Sequence, residues 1–244
     1  MSRARLWSIL VLGLVVFVIL CGLGTWQVQR LAWKEGLLDE IATRMASAPQ
    51  PLAEINARYA ETGDVDYWPV EVSGRFVHAG ERYFLSTHDG EAGWNVYTPM
   101  MLDEGRAVFV NRGFVPYEMK DPATRPEGQI EGVVTVTGLA RDGETEKPNS
   151  FVPDNDVRQN IFFWRSVSDM AEDLNLPGEV RITPFFIDAG PGAAPGGYPI
   201  GGTTIVDLPN DHLQYAITWF GLALVLVVML VMLVVRRRRY DTLA

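Results

Sequence analysis

The chain has 244 residues, of which 48% are hydrophobic, 21 are basic and 30 are acidic. Residues 35–210 contain 13 basic and 28 acidic side chains, a net charge of −15, which argues against a face that binds nucleic acid or anionic lipid. The single cysteine, Cys21, excludes an intrachain disulfide, a C-x-x-C redox centre and a cysteine-rich zinc module. The length accommodates one domain with attached segments, or at most two small domains.

Two long apolar runs lie near the two ends of the chain. Residues 6–23 and 216–235 carry no charged side chain, and about 20 helical residues are needed to cross the ~30 Å hydrocarbon core of a membrane. We therefore expect transmembrane helices over residues 6–24 and 213–235. A cleaved signal peptide is the alternative for the first run. That run is longer than an ordinary signal-peptide core, however, and no A-x-A pattern follows it.

Basic residues flank both runs on the sides that face the chain ends. Arg3 and Arg5 precede the first run, and four consecutive arginines at residues 236–239 follow the second. The positive-inside rule therefore predicts that both termini are cytoplasmic, with residues 236–244 as a basic tail, and that residues 50–209 form an extracytoplasmic, periplasmic domain. The first run begins without an Arg- and Ser-rich transit region, which favours the inner (plasma) membrane of a bacterium over a mitochondrion.

The elements between the two runs change from helical to β-rich. Apolar residues recur at helical spacing from Leu37 to Met45, which predicts a helical extension over residues 33–47 that ends at Pro49. Runs of β-branched and aromatic residues then alternate with Gly, Pro, Asp and Glu clusters, which predicts an antiparallel sheet or a small barrel. The five predicted strand regions are residues 67–77, 82–88, 94–102, 106–116 and 129–141.

The last part of the outer domain combines a short helix, a strand and a linker. Ser166, with Asp169 three residues later, predicts a capped helix start, and Pro177 predicts its end. Residues 181–190 predict one further strand, and the Gly- and Pro-dense residues 190–202 predict a linker to the second apolar run. The predicted fold class is an α+β membrane protein, in which N- and C-terminal transmembrane helices bracket an extracytoplasmic antiparallel β-rich domain with a short helix.

The sequence contains no motif for nucleotide or hydrolytic chemistry, and the chain is not expected to be an enzyme. It has neither a G-x-S-x-G nor an H-E-x-x-H motif. His88 and Asp89 are neighbours on a predicted strand and should point to opposite faces, which makes them a poor catalytic pair. His78 and His88 fall at strand ends, where they are expected to be ordinary structural residues. The alternative, a metal shared by both, requires a third ligand that the sequence does not identify.

The third histidine, His212, lies at the start of the second apolar run. A helix that begins between Pro209 and Asp211 places it in the first turn, where unpaired N–H groups and the positive end of the helix dipole disfavour the imidazolium. Uncharged imidazole binds metals, and Tyr215 and Trp219 follow at helical spacing on the same face. Such a face suits a flat, iron-containing macrocycle. The alternative is an interfacial anchor, because aromatic side chains are common at membrane surfaces.

Four motifs occur in order along nearly the whole chain. They are GTWQVQRLAWK at the end of the first apolar run, GWNVYTPMML at residues 93–102, VFVNRGFVP at residues 108–116 and NDHLQYAITWF at residues 210–220. Together they resemble the surfeit-locus family of cytochrome c oxidase assembly factors. Phe114 stands where the family usually has Trp after NRG, and Asp211 stands where its closing motif usually has a second Asn. Each motif is weak alone, but the ordered set is specific.

The resemblance implies a function that the composition does not show. Family members assist the biogenesis of haem–copper oxidase subunit I, and bacterial members are linked to haem a. The implied partners are cytochrome c oxidase subunit I and the haem a synthesis enzymes, with haem a bound transiently. His212 would be the iron ligand and Trp219 would lie near the haem. Tyr215 is added from helical spacing.

Two other classes of function remain open. One is a cofactor-free scaffold that stabilises an assembly intermediate of the oxidase subunit. The other is an extracytoplasmic enzyme or sensor, which would require a buried polar pocket in the β domain.

The NRG stretch has two interpretations. In the first, Gly113 marks a bulge or a tight bend and Arg112 pairs with an acid of this acidic domain. In the second, Arg112 holds a haem propionate through a bidentate contact or touches the oxidase subunit.

The two membrane helices are expected to pack side by side. Gly13 and Gly22 would allow a close approach of the two backbones. Three residues at the outer end of the first helix are candidates to face His212 across the pair: Trp26, Gln27 and Arg30.

Overall fold

The computed structural model describes residues 3–204 and 210–243 and divides the chain into two units. One unit contains residues 1–40 and 206–244, and the other contains residues 41–205. The predicted domain end at residue 209 and the last residue of the tail, 244, lie outside the described residues. The helices are α1 (Arg3–Met45), α2 (Leu52–Thr62), α3 (Val167–Ala171) and α4 (His212–Leu243). The strands are β1 (Gln50–Pro51), β2 (Pro69–Phe76), β3 (Arg82–His88), β4 (Glu91–Met101), β5 (Arg106–Pro116), β6 (Val134–Asp142), β7 (Arg181–Ala189), β8 (Gly192–Ala193) and β9 (Ile200–Gly201).

The terminal helices α1 and α4 contain the two apolar runs. The stretches Ala4–Met45 and His212–Arg239 are long and apolar enough to cross a membrane, judged by length and composition. Most of their large apolar side chains are exposed, as expected for surfaces that face lipid rather than a protein core. Two terminal apolar helices flanking a β-rich domain with a short helix confirm the predicted fold class.

Within the first unit, α1 and α4 pack against each other in antiparallel directions. A Cβ atom at Gly24 would lie 2.8 Å from the Phe220 ring, and one at Gly13 would lie 2.7 Å from Leu230, so both glycines permit close packing. The expectation for Gly13 is therefore confirmed. The expectation for Gly22 is wrong, because no atom lies within 4 Å of a Cβ placed there. The antiparallel arrangement brings the basic ends of both helices to the same end of the pair.

Five strands of the second unit close into a barrel. β4 pairs with β5, β5 with β7, β7 with β6, β6 with β2, and β2 returns to β4 through Arg75–Met101 and Phe76–Met100. The β5–β7 pairing is parallel, while the other four are antiparallel. Closure leaves these strands without an open edge. β3 extends the sheet beyond β4, and β9 and β8 extend it beyond β5.

The barrel interior is filled with apolar side chains. Alternate residues of the five strands meet there, as the period of two in a β-strand requires, and Leu52 and Ile55 of α2 join the same cluster. The strand members are Val70, Val72, Met100, Val108, Val110, Ala140, Phe185 and Ile187. The members of this cluster are all apolar. The alternative of an enzyme or sensor, which requires a buried polar pocket, gains no support from this cluster.

A second apolar layer covers one outer face of the barrel. Phe109 and Phe186 point outward from β5 and β7, between the interior residues, and pack with Phe162 and Met170. α3 carries Met170 into this layer. The Ser166 side chain accepts a hydrogen bond from the backbone N–H of Asp169, so the predicted helix cap is confirmed.

Two elements differ from the sequence expectations. Pro49 does end the first helix region, but Pro51 is the N-cap of a further helix, α2, which closes at Gly63 in the left-handed conformation (φ 69°). The stretch 190–202 is not a simple linker. It folds back as β8 and β9, and Ile200 pairs with Phe114 of β5. Its Gly and Pro content marks tight turns between short pairings rather than a free connection.

Candidate functional site

His212 begins α4 and is hydrogen-bonded to Gln27 of α1. Its Nδ1 atom lies 2.6 Å from the Gln27 Oε1 atom, and the Gln27 side chain is buried between the helices (8% exposed). An amide oxygen only accepts hydrogen bonds, so Nδ1 carries the proton and donates. The Nε2 atom then keeps its lone pair, and the structure records no partner for it among the described residues. Histidines that bind metals are commonly held in this way, with one ring nitrogen hydrogen-bonded and the other available.

His212 and Trp219 belong to the row of least exposed residues on α4, which we take as its contact with α1, but Tyr215 does not. The least exposed positions of α4 recur at alternating spacings of four and three, which is the pattern of coiled-coil packing. They include His212, Ala216, Trp219 and Ala223. The Tyr215 side chain is 53% exposed and lies outside this row. Of the three aromatic or imidazole residues predicted on one face, the structure brings two to the helix interface.

Two buried polar atoms, one two residues before His212 and one seven residues after it, have no partner among the described residues. They are the Oδ1 atom of Asn210 and the indole Nε1 atom of Trp219. A buried donor without a partner costs about 1–3 kcal/mol. A donor group of a bound molecule would satisfy the Asn210 oxygen, and an acceptor group would satisfy the Trp219 N–H.

Exposed tryptophans indicate the depth of this end of the helix pair. Trp7 and Trp26 are 66% and 51% exposed, and the 19 residues that separate them along α1 correspond to about 28 Å of helix. This matches the ~30 Å hydrocarbon thickness between two aromatic belts. Gln27 follows Trp26, so this spacing predicts that the Gln27–His212 pair lies near a membrane interface.

The NRG motif in β5 forms a bulge. Asn95 of β4 pairs with Phe114 and Tyr97 pairs with Asn111, so the single residue between them on β4 faces both Arg112 and Gly113. Gly113 has a φ of 112°, and a Cβ there would collide with the carbonyl of Ile200 in β9. The prediction of a bulge at Gly113 is confirmed.

Asn111 fastens this bulge to the neighbouring strand. Its Oδ1 accepts from the Gly113 backbone N–H, and its Nδ2 donates to Asp188 of β7 at 2.9 Å. Asp188 also accepts from the Thr204 hydroxyl at 2.6 Å and from Arg141 at 3.5 Å. The Asp188 carboxylate of β7 therefore links three parts of the barrel unit by hydrogen bonds: β5, β6 and the segment after β9 that contains Thr204.

Arg112 pairs with an acid, Glu81, as one interpretation of the sequence predicted. Its Nη1 lies 3.3 Å from Glu81 Oε1, its other terminal nitrogen donates to the Gly128 carbonyl, and its guanidinium lies 4.8 Å from the Phe76 ring centre. Both side chains are almost fully buried. A role for Arg112 in holding a haem propionate stays a prediction, since these intramolecular contacts do not test it.

Glu81 is the centre of a buried charge cluster. Arg125 donates to it at 2.5 Å, and Tyr83 and Gln129 donate at 3.0 and 3.3 Å. Burial alone would raise the pKa of Glu81, but a hydrogen bond with His78 and the charges of Arg125 and Arg112 lower it to about 2. Burial also lowers the pKa of Arg112 to about 10, against the opposing effect of Glu81. The carboxylate is therefore held ionised by two guanidinium groups.

The other two histidines have structural partners. His78 Nε2 donates to the Ile130 carbonyl at 2.8 Å, and its ring packs beside Phe76. His88 packs against Phe114, and its Nε2 lies 3.7 Å from Asp89, whose positive φ of 51° turns the carboxylate back toward the ring. The expectation that His88 and Asp89 point apart is therefore wrong. No group of three candidate metal ligands comes together within residues 3–204 and 210–243, so a shared metal gains no support.

The fold and the site together define a class: a filled β-barrel unit between two helices of membrane-spanning length, which are joined by a histidine–glutamine hydrogen bond. The model of the SURF1 family matches residues 14–224. The chain belongs to the SURF1 family. It is similar to Surfeit locus protein 1 of Homo sapiens, with 40% identity over 238 residues, covering 89% of this chain and 73% of the relative.

Two further relatives have comparable similarity. Surfeit locus protein 1 of Xenopus tropicalis is 38% identical over 233 residues, covering 88% of this chain and 71% of the relative. A SURF1-like protein of Monosiga brevicollis is 35% identical over 240 residues, covering 93% of this chain and 86% of the relative. The similarity therefore extends across both units.

Sequence reasoning found part of this arrangement. It singled out Gln27 as one of three candidates to face His212, and the structure selects Gln27. It did not identify Glu81 or Arg125, because an isolated charged residue before a strand and another in a Pro-rich loop carry no local signal of burial. Glu81 acquires its several buried hydrogen-bond donors only when the loop of residues 117–130 folds against the barrel, and the sequence does not show this contact.

Proposed function

We propose that the protein is a membrane-anchored assembly factor for a haem–copper cytochrome c oxidase that binds haem a through His212. The observation that carries this proposal is the hydrogen bond from His212 Nδ1 to Gln27, which leaves Nε2 with an available lone pair. Family membership supports the same class of function, since the resemblance to oxidase assembly factors runs through the closing motif that contains His212.

The residues around His212 are suited to holding a haem. His212 is partly exposed, the small residue Ala216 is buried in the helix contact one turn away, and the buried Trp219 indole N–H has no partner among the described residues. Haem a would supply an iron centre that accepts an imidazole lone pair. The chain itself would contribute the ligand and its orientation. The described residues include no second histidine in the helix pair, so we assign a single protein ligand.

The proposed location is the inner membrane of a bacterium, with both termini cytoplasmic. The shared basic end of the antiparallel helices supports a common side for Arg5 and the four arginines at 236–239. The barrel unit would then lie outside the cytoplasm, where it would contact cytochrome c oxidase subunit I. The haem a synthesis enzymes would be the donors.

An optical spectrum tests the haem proposal. The full-length protein is co-expressed with haem a synthesis enzymes, purified in detergent and compared with His212→Ala. We expect the wild type to carry haem a and the variant to lose most of it. His88→Ala is the matched histidine control, since His88 lies in the barrel unit and packs on Phe114. Full haem content in His212→Ala, or no haem in the wild type, would refute the proposal.

The same variant separates the carrier from a cofactor-free scaffold. If cells that produce His212→Ala assemble active oxidase normally, while changes in the barrel surface block assembly, scaffolding is the function. If oxidase activity falls together with the haem content of the variant, haem binding is required.

A further inference from the structure

We infer that Gln27 is a positioning residue that selects the ring tautomer of His212 and thereby decides which nitrogen is available to a ligand. The juxtaposition comes from the helix pair, because the two residues are 185 positions apart in the chain. The inference about the tautomer stands on the apo structure. Its consequence for haem rests on the function proposed above.

The physical basis is that an amide oxygen can accept hydrogen bonds but cannot donate them. Gln27 Oε1 has lone pairs and no proton, so at 2.6 Å it attracts the Nδ1–H form of His212 and repels the form with a lone pair on Nδ1. Gln27 is buried, so water has limited access to its side of the contact. A hydrogen bond in such a low-dielectric setting is stronger than one in water. The tautomer with a bare Nε2 is therefore the favoured one.

The same contact fixes the ring direction. His212 lies in the first turn of α4 and would otherwise rotate about its side-chain torsions. The bond holds Nδ1 toward α1, so Nε2, on the far edge of the ring, points away from Gln27. Ligating histidines are commonly held by an outer hydrogen bond of this kind, and loss of the outer partner usually weakens metal binding about 10- to 100-fold.

Nitrogen NMR of the apo protein tests the tautomer directly. The chain has three histidines, so ¹⁵N-histidine labelling in detergent micelles gives few signals, and His212→Ala assigns those of His212. We expect a protonated Nδ1 and a bare Nε2 in the wild type. Gln27→Leu should lose this preference, and Gln27→Glu, which keeps an acceptor oxygen, should restore it. Gln29→Leu is the matched control, because Gln29 lies two residues away and is exposed.

Titration with ferric haem tests the consequence. Gln27→Leu is expected to bind about 10- to 100-fold more weakly than the wild type, and the same change in a His212→Ala background should have no further effect. A wild-type His212 with its proton on Nε2 would overturn the inference, and this holds even if Gln27→Leu fails to fold. The inference would also be overturned if the His212 tautomer were unchanged in Gln27→Leu. If the NMR results agree but His212→Ala leaves haem affinity intact, the positioning role stands and the haem-carrier function fails.

Discussion

Replacing Glu81 with glutamine would leave two buried guanidinium groups without their carboxylate. Arg112 and Arg125 both contact Glu81 and are themselves 5% and 2% exposed in their side chains. The glutamine keeps the size and one acceptor oxygen, so the perturbation is mainly the loss of negative charge. We expect the barrel unit to lose stability, because removing one partner of a buried ion pair leaves an uncompensated charge.

The expected loss follows from the pKa of Glu81. The folded protein lowers it from 4.5 to about 2, and each pKa unit corresponds to about 1.4 kcal/mol. The carboxylate in its ionised form therefore contributes about 3 kcal/mol. Breaking a buried ion pair typically costs about 3–5 kcal/mol, which agrees. A domain with a total stability of about 5–15 kcal/mol would show this clearly.

Urea unfolding of the full chain in detergent micelles, followed by tryptophan fluorescence, provides the measurement. At pH 7 the Glu81→Gln variant should unfold at a much lower urea concentration with an unchanged slope. Glu91→Gln is the control, because Glu91 is exposed at the start of β4. Equal midpoints for the two variants would refute the argument that the cluster stabilises the barrel.

The pH dependence supplies an independent check. Because the folded pKa of Glu81 lies below its unfolded value, its contribution is present above about pH 4.5 and is lost as the pH falls toward 2. The stability difference between wild type and Glu81→Gln should therefore shrink across this window. A difference that stayed constant down to pH 2 would contradict the assignment.

Two further changes test the barrel unit by the same unfolding measurement. Gly113→Ala should lower the free energy of unfolding by about 1–3 kcal/mol because of the positive φ, and by a further amount because the new Cβ collides with Ile200 of β9. Gly132 has a φ of 88° and open space around it, so Gly132→Ala should show the backbone strain alone. Equal losses of stability in the two variants would disprove the close approach of β9 to Gly113. Burial, together with the neighbouring Asp66 and Asp64 carboxylates, raises the pKa of Asp142 to about 6. Since ionisation above that pH destabilises the fold, Asp142→Asn should stabilise the protein by about 1 kcal/mol at pH 7.5 after solvent screening and have little effect near pH 3.5. Stabilisation of equal size at both pH values would contradict this.

The strands of the barrel could be predicted because their signals are local. The sequence VFVNRGFVP alternates apolar side chains toward two faces, and the structure uses both: Val108 and Val110 point into the barrel while Phe109 packs outside. The glycine of the same motif marked the bulge. The short pairings of β8 and β9 could not be predicted, because two-residue strands are formed by what they lie against rather than by their own composition.

The candidate site likewise has one part that the sequence predicts and another that only packing decides. His212 was predicted to be a ligand from its position, as a rare imidazole at the first turn of an apolar helix, and from the family resemblance, and that role stays a prediction. The placement of Tyr215 beside it was expected from a spacing of three, but packing selected a row that leaves Tyr215 exposed. Helical spacing identifies residues that share a broad face, while the partner helix decides which of them lie at the contact.

The sequence by itself determined the two apolar helices, the barrel strands and the histidine, because hydrophobic period, capping and turn residues act over a few positions. Only the tertiary structure decided that Gln27 meets His212 and that Glu81 meets Arg112 and Arg125. These partners lie far apart in the chain, and the energy that joins them depends on burial. A polar side chain at either position is satisfied by water until helix packing or barrel closure removes that water and leaves one specific group to replace it.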